Sequence, residues 1–134
     1  MSSTIRGEAT LTELDHARLR ALSRRTPLPA TVQDLVDNAD LVPSRGVRPD
    51  IVTMYTQLLL RQDTAASPRK LTICWPEDAE PEAGFLSVMS PLGTALLGRA
   101  VGETVAWHTP DGRRHEGEIA AILFQPEASG DYTT

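Results

Sequence analysis

The segment that most constrains the fold of this chain is residues 84–112, which read GFLSVMSPLGTALLGRAVGETVAWHTPDG. Apolar residues alternate with polar ones at both ends of the segment, and a short apolar run with helical spacing lies between them. Turn-forming residues separate these pieces. The order predicts a strand, a short helix, a tight turn, a second strand and a hairpin turn.

The boundaries of that short helix are predicted by residues with specific backbone preferences. Ser90 is a suitable N-cap, because its hydroxyl can accept a free backbone N–H of the first turn, and Pro91 fits the first helical position. Gly98 can adopt the left-handed conformation that ends a helix. Gly102 is expected to form the following turn, and the Asp111-Gly112 pair predicts a β-hairpin.

Strand-like patterns continue on both sides of this segment. They are rich in Val, Ile, Thr and aromatic residues and are bounded by turn residues. The predicted strands are Ile51–Leu60, Lys70–Trp75, Gly84–Met89, Thr104–His108 and His115–Phe124. We therefore expect a twisted, mostly antiparallel sheet that carries one short helix, Pro91–Leu97.

The N-terminal third has helical rather than strand periodicity. Thr12 and Asp15 match a capping box before a helix that ends near Arg25, and Thr31 is the candidate cap of a second helix. The first nine residues are small and polar, so we expect a frayed start. Residues 43–49 are the candidate linker, which predicts an N-terminal helical hairpin over residues 1–43 and a second domain over 44–134.

Three segments resemble the C-terminal domain of the bacterial Gre transcription factors, and more closely their relatives, the regulators of nucleoside diphosphate kinase. They are Val52-Thr53-Met54, then Leu86 to Gly98 with Val101-Gly102-Glu103, and the closing Phe124-Gln125-Pro126-Glu127-Ala128-Ser129-Gly130-Asp131-Tyr132. The resemblance covers the chain from about Pro49 to its end. It implies an α+β fold: a short N-terminal antiparallel helical hairpin, or coiled-coil stub, followed by an FKBP-like antiparallel sheet with one short helix.

The resemblance also implies a partner, since Gre-type domains contact the rim of the secondary channel of RNA polymerase. By position, the contacting segment of this chain is Leu86, Ser87, Val88, Met89, Ser90 and Pro91. Met89 stands where Gre proteins often have Asp or Asn. An apolar contact is therefore expected in place of a polar one, while Leu86 and Val88 are also suited to the core.

Gre factors that stimulate transcript cleavage carry an acidic pair, which helps to hold Mg²⁺, at the tip of a long coiled-coil finger. The corresponding tip of this chain comprises Arg24, Arg25, Thr26, Leu28 and Pro29, with Asp34 one turn into the second helix. Arginines repel a metal cation. A first helix of about 14 residues also spans only about 20 Å, which is short for reaching the polymerase active centre.

Composition restricts the other partners. The net charge is −5, and no stripe of Lys and Arg is present, so nucleic acid is expected to be reached only through polymerase. The single cysteine, Cys74, excludes an internal disulfide and fits a reducing cytoplasm. We expect a cytoplasmic protein without membrane contact, cofactor or small-molecule substrate. His108 and His115 could face each other across the hairpin, but two imidazoles alone do not predict a metal site.

The resemblance, together with the short tip that carries two arginines, thus implies a transcription regulator, not an enzyme, that occupies the secondary channel and competes with Gre factors. Two alternatives remain: weak transcript cleavage or prolyl isomerisation, and a protein-interaction module unrelated to polymerase. The isomerase alternative needs an aromatic-lined pocket, for which Trp75, Phe85, Trp107 and Phe124 are the candidates. The closing segment suggests a further hypothesis, that Tyr132 folds back onto the sheet or onto the partner.

Overall fold

The computed structural model describes residues 8–62 and 67–131, and it is a mixed α+β structure. In chain order the elements are β1 (Thr10–Thr12), α1 (Glu13–Ser23), α2 (Ala30–Asn38), β2 (Asp40–Val42), β3 (Gln57–Arg61), β4 (Arg69–Cys74), β5 (Phe85–Ser87), α3 (Pro91–Leu96), β6 (Thr104–His108) and β7 (Arg114–Phe124). Short 3₁₀ helices lie at Ser44–Gly46, Pro76–Asp78, Pro81–Ala83 and Glu127–Ser129. No helix within these described residues is both long and apolar enough to cross a bilayer.

The main sheet has the strand order β5-β4-β3-β7-β6. Its pairs are antiparallel except for β4 and β5, which run parallel. β5 and β6 are therefore the two edge strands. The β6–β7 hairpin and the helix α3 follow the prediction closely, because Gly98, Gly102 and Gly112 have the positive φ angles expected of their turns.

The predicted strand Ile51–Leu60 is wrong over its first half. Val52 accepts a hydrogen bond from Gly98 N and donates to Arg99 O, so its backbone pairs with the turn after α3. Tyr55 then adopts a φ of 64°, which is incompatible with a strand. The predicted strand Gly84–Met89 is likewise shortened to β5, since Gly84 has a φ of 87° and Val88 lies in a turn.

The sequence also did not predict a second, two-stranded sheet in which β1 and β2 pair in parallel. Ala9 is buried rather than frayed, and its carbonyl accepts a hydrogen bond from Asp40 N. Thr10 N in turn donates to Gly98 O. This small sheet thus attaches the start of the described chain to the turn after α3, while residues 1–7 lie outside the described part.

Thr12 caps α1 as predicted, because its Oγ1 accepts the Asp15 N–H at 3.0 Å. The predicted cap of α2 is wrong. That helix begins at Ala30, after Pro29, which makes no side-chain cap, and Thr31 lies exposed within the helix. The first turn of α1 meets the last turn of α2, since His16 Nε2 lies 2.9 Å from Val36 O.

One buried apolar cluster contains residues from both sides of the proposed boundary between positions 43 and 44. Leu11, Leu19, Val32 and Val36 of the N-terminal part belong to it. The remaining members lie mostly in the main sheet and α3, and the others lie in the adjoining loops: Val52, Met54, Leu58, Leu60, Leu71, Ile73, Val88, Leu92, Leu96, Leu97, Val105, Trp107 and Ile119. The two helices therefore pack on the sheet region, and the division into two domains stays a prediction.

Candidate functional site

In the segment predicted to contact a partner, residues 86–91, most polar groups form hydrogen bonds within the protein. Val88 is fully buried, and its N–H donates to Cys74 O at 2.9 Å. Ser87 Oγ accepts the Met89 N–H, and Ser87 O accepts both the N–H and the hydroxyl of Ser90. The polar groups of this segment therefore fix a tight turn between β5 and α3.

The beginning of α3 depends on a glycine whose role was not recognised in the sequence. Ser90 Oγ accepts the Gly93 N–H at 3.1 Å, as the predicted cap requires. A Cβ atom at Gly93 would lie 2.1 Å from Ser87 O, far inside van der Waals contact. Only a glycine lets the first turn of α3 approach this carbonyl so closely.

The surface available to a partner is consequently small. Pro91 is exposed, and Leu86, Ser87, Met89 and Ser90 are partly exposed. Of the six residues predicted to contact a partner, Val88 is fully buried. The remaining surface contains both polar and apolar side chains, and its most apolar members are Leu86, Met89 and Pro91.

The predicted tip lies between α1 and α2. Arg24 and Arg25 are exposed, and Thr26 and Leu28 are partly buried. Asp34 is exposed too, and its Oδ1 accepts a hydrogen bond from Asn38 at 2.8 Å. The tip thus presents two cations to solvent, with one carboxylate a turn into α2.

The structure brings part of the tip and part of the predicted contact segment to one groove of about 660 Å³. α2, α3 and the edge strand β6 enclose it. Its lining residues are Pro29, Ala30, Thr31, Asp34, Leu35, Met89, Pro91, Thr94, Ala95, Leu97, Arg99, Val105, Ala106, Trp107 and His108. The sequence reasoning missed most of these residues. Nothing local in the sequence indicated that β6 faces α2.

The two histidines of the hairpin do not face each other. His115 pairs with Trp107 in the register and stacks on its ring, with 5.5 Å between the ring centroids. His108 pairs with Arg114 instead. Within residues 8–62 and 67–131, no group of three or more His, Cys, Asp or Glu side chains is arranged to hold a metal ion.

The four aromatic residues considered for an isomerase pocket are dispersed. Phe85 and Phe124 are 36% and 46% exposed, whereas Trp107 is buried and Trp75 is half-buried. Trp107 alone among these four lines the groove. The aromatic enclosure that this alternative requires is therefore not formed by the residues proposed for it.

A buried polar cluster joins α1, the loop before β3 and the closing segment. Asp15 is 1% exposed, and its Oδ2 accepts the Met54 N–H at 3.1 Å. Burial, together with the negative charge of the nearby Glu127, raises the pKa of Asp15 to about 6, although the hydrogen bonds from Met54 and Thr12 and the charge of Arg18 oppose the shift. The predicted capping-box acid thus connects α1 to the sheet region.

The closing segment belongs to the same cluster. Glu127 accepts a hydrogen bond from Thr53 at 2.7 Å, and Gln125 Nε2 donates to the carbonyls of Arg48 and Ile51, both at 2.8 Å. These contacts explain structurally why polar residues near the C-terminus are buried instead of frayed. The hypothesis about Tyr132 lies outside the described residues.

The comparisons with known proteins agree with this architecture. The family described as "Transcription elongation factor, GreA/GreB, C-term" matches residues 47–124. The "Regulator of nucleoside diphosphate kinase" of Escherichia coli strain K12 is 32% identical over 106 residues, which cover 79% of this chain and 78% of that protein. The "Transcription elongation factor GreA" of Leuconostoc mesenteroides is 33% identical over 92 residues, which cover 69% of this chain but 58% of the relative.

Among solved structures, a "Prokaryotic transcription elongation factor GreA/GreB from Nitrosomonas europaea" superposes with a TM-score of 0.74 at 26% identity. The superposition covers 89% of this chain and all of the other chain. The matching family spans more than half of the sequence, and the curated relative from Escherichia coli matches over most of both chains. This chain therefore belongs to the GreA/GreB C-terminal family of transcription elongation factors.

Proposed function

We propose that this protein is a cytoplasmic regulator of transcription that binds RNA polymerase at the rim of the secondary channel and does not stimulate transcript cleavage. In this proposal it docks through the segment between β5 and α3, presents α1 and α2 as a short helical hairpin beside an FKBP-like sheet, and competes with Gre factors. Family membership supports the partner. The observation that carries the mode of action is the short tip with two exposed arginines.

The dimensions of α1 support occupancy rather than catalysis. The helix has 11 residues, so it spans about 16 Å at 1.5 Å per residue. Both helices also bury residues in the common core, as Leu19 and Val32 are fully buried. A helical hairpin of this length, packed against the sheet region, can block the mouth of the polymerase secondary channel more readily than it can reach the polymerase active centre.

The electrostatics of the tip support the same mode of action. Arg24 and Arg25 repel a divalent cation, and the exposed Asp34 carboxylate is one negative charge rather than a pair. The tip therefore lacks a set of oxygen ligands adequate to bind the Mg²⁺ that the acidic pair of cleavage-stimulating Gre factors helps to hold. We propose that the protein acts without catalysing a reaction.

The experiment combines binding and competition. The purified protein is mixed with core polymerase and tested for co-elution, then added to a backtracked elongation complex with and without a Gre factor. We expect co-elution, no cleavage by the protein alone, and inhibition of Gre-dependent cleavage. Cleavage by the protein alone would support the enzyme alternative, and no association with polymerase would support the unrelated interaction module.

A pair of matched variants tests the docking segment. Pro91→Glu places a charge on the exposed first residue of α3, where an acidic residue is compatible with the helix N-terminus. Pro68→Glu makes the same change at an exposed position before β4. We expect the first variant to lose at least tenfold in polymerase affinity and the second to retain it. Equal affinity of the two variants would contradict docking through residues 86–91.

A further inference from the structure

The groove beside β6 has a feature that docking through residues 86–91 does not use, namely an open strand edge. The groove is lined by four consecutive residues of β6, Val105 to His108. Successive side chains of a strand point to opposite faces of the sheet. A groove that touches all four must therefore run along the edge of the strand, on the side away from β7.

The hydrogen-bond pattern identifies which backbone groups face this groove. At the two ends of the hairpin, Ile119 N donates to Glu103 O, and Thr109 N donates to Arg113 O. In an antiparallel pair the bonded residues recur at every second position, so Val105 and Trp107 are the residues that bond to β7. Ala106 and His108 therefore direct their N–H and C=O groups outward.

Those outward groups are available. In the described parts of the chain, no backbone hydrogen bond reaches Ala106 or His108 from the groove side. An unpaired edge of this kind is a template for another strand. The four residues of β6 extend over about 13 Å, enough to pair with a segment of similar length.

The walls of the groove indicate what else such a segment carries. Its apolar lining consists of the partly exposed Leu35 of α2, Met89 before α3 and Ala95 of α3, above the buried Leu97, Val105 and Trp107. Asp34 lies at the rim and forms no ion pair with any described residue, whereas Arg99 is paired with Glu103 at 3.7 Å. The chain as a whole carries a charge of −5. Apolar and basic side chains therefore complement the groove, and a second copy of this acidic chain does not.

We propose that the groove between α2, α3 and β6 binds an extended basic peptide segment of a partner protein, which adds to the main sheet as a strand beside β6. The outward N–H and C=O groups of Ala106 and His108 pair with its backbone. Apolar side chains of the segment enter between α2 and α3, and a basic side chain meets Asp34. This site shares Met89 and Pro91 with the proposed polymerase contact, but it does not require that the partner be polymerase.

The test uses a fluorescent six-residue peptide in which lysine, valine and leucine occupy alternate positions, so that they share one face of the strand, with serine between them. Two controls accompany it: the same peptide with N-methyl groups on alternate residues, and a peptide with glutamate in place of lysine. We expect saturable binding of the first peptide and at least a tenfold loss for each control, because one lacks backbone donors and the other repels Asp34. Equal binding of the N-methylated peptide would overturn strand addition.

Two variants and one spectroscopic measurement locate the binding. Ala106→Pro removes an outward N–H without touching the bonds to β7, since proline is tolerated on the open side of an edge strand, and Ala106→Ser retains that N–H. We expect the proline variant to lose at least tenfold in affinity and the serine variant to lose little. In the wild-type protein, peptide binding should slow hydrogen exchange at the Ala106 and His108 amides. Unchanged exchange there would overturn the proposal.

A groove-filling pair keeps the proposal testable if Ala106→Pro does not fold. Ala95→Trp fills the groove from α3, whereas Ala17→Trp adds the same side chain to an exposed position of α1. We expect only the first to abolish peptide binding. If the wild-type protein sediments as a dimer that Ala106→Pro or Ala95→Trp dissociates, a second copy occupies the edge and the proposal is wrong. Failure of polymerase binding alone leaves these peptide results unaffected.

Discussion

The helices α1 and α3 bury one face in the same core, but they are held there by different means. α3 contributes Leu92 and Leu96 and places no charged group in the interior. α1 contributes Leu19 and, one turn earlier, Asp15, whose Oδ2 accepts the Met54 N–H and whose Oδ1 has no hydrogen-bond partner among the described residues. Apolar contacts stabilise without a strict geometry, whereas a buried carboxylate favours one arrangement and is costly when charged. The attachment of α1 is therefore the pH-sensitive one.

The largest effects are expected from truncating the apolar contacts. Leu19→Ala and Leu96→Ala each remove a fully buried side chain, and each should lower the free energy of unfolding by about 3 kcal/mol. Because both residues belong to one cluster, denaturant unfolding followed by circular dichroism and by tryptophan fluorescence should give coincident single transitions in both variants. Two separate transitions, with Leu19→Ala shifting only one of them, would show that the helical region folds independently.

The second prediction concerns the carboxylate that distinguishes α1. The pKa of Asp15 is about 6 in the folded protein against 3.8 ordinarily, so the unfolded chain releases its proton first as the pH rises. Folding stability contributed by this group is thus fully present below about pH 4 and is lost as the pH rises through about 6. The total loss is about 3 kcal/mol.

Asp15→Asn removes this titration while retaining an acceptor for Met54 N. Denaturant unfolding between about pH 4 and about pH 8 should show the variant gaining about 3 kcal/mol relative to the wild type as the pH rises. Asp37→Asn, an exposed change on α2, serves as the control and should follow the wild-type curve. A constant difference between Asp15→Asn and the wild type across this range would contradict a buried, titrating Asp15.

The same comparison shows where sequence reasoning succeeds. α3 could be predicted almost to the residue, because its cap, its first proline and its terminal glycine are all neighbours in the chain. The β6–β7 hairpin is equally local, and its turn is marked by Asp111-Gly112. Membership of the Gre family followed from the same segment and is confirmed.

What the sequence could not supply depends on contacts between distant residues. β1 pairs with β2 about 30 positions later, and the backbone of Val52 bonds to the turn after α3 instead of lying in a strand. The groove exists only because α2 lies beside α3 and β6. One signal was present, however. Asp15 precedes Leu19 by four residues, about one helical turn, which places the carboxylate on the same face of α1 as this apolar side chain.

The third prediction tests a polar attachment that carries no charge. Gln125→Ala removes two hydrogen bonds, to the carbonyls of Arg48 and Ile51, and leaves both acceptors without that donor. We expect a loss of about 2 kcal/mol in the free energy of unfolding, with the same value at every pH. Gln33→Ala deletes an exposed glutamine that bonds to Asp37, and it should cost less than about 0.5 kcal/mol. If both variants lose equally little, the closing segment is not held by Gln125.

The smallest expected effects compare the beginnings of the two N-terminal helices. Thr12→Ala removes the buried hydroxyl that caps α1 and should cost about 1 kcal/mol of unfolding free energy. Thr31→Ala makes the same change at an exposed position inside α2, where the structure places no cap, and alanine has the higher helix propensity. Its stability should therefore be unchanged or slightly raised, as measured by thermal unfolding of the two variants side by side. A loss at Thr31 equal to that at Thr12 would support the capping box that the sequence predicts at Thr31. The start of α2 would then lie farther from the groove that Pro29 and Ala30 help to enclose.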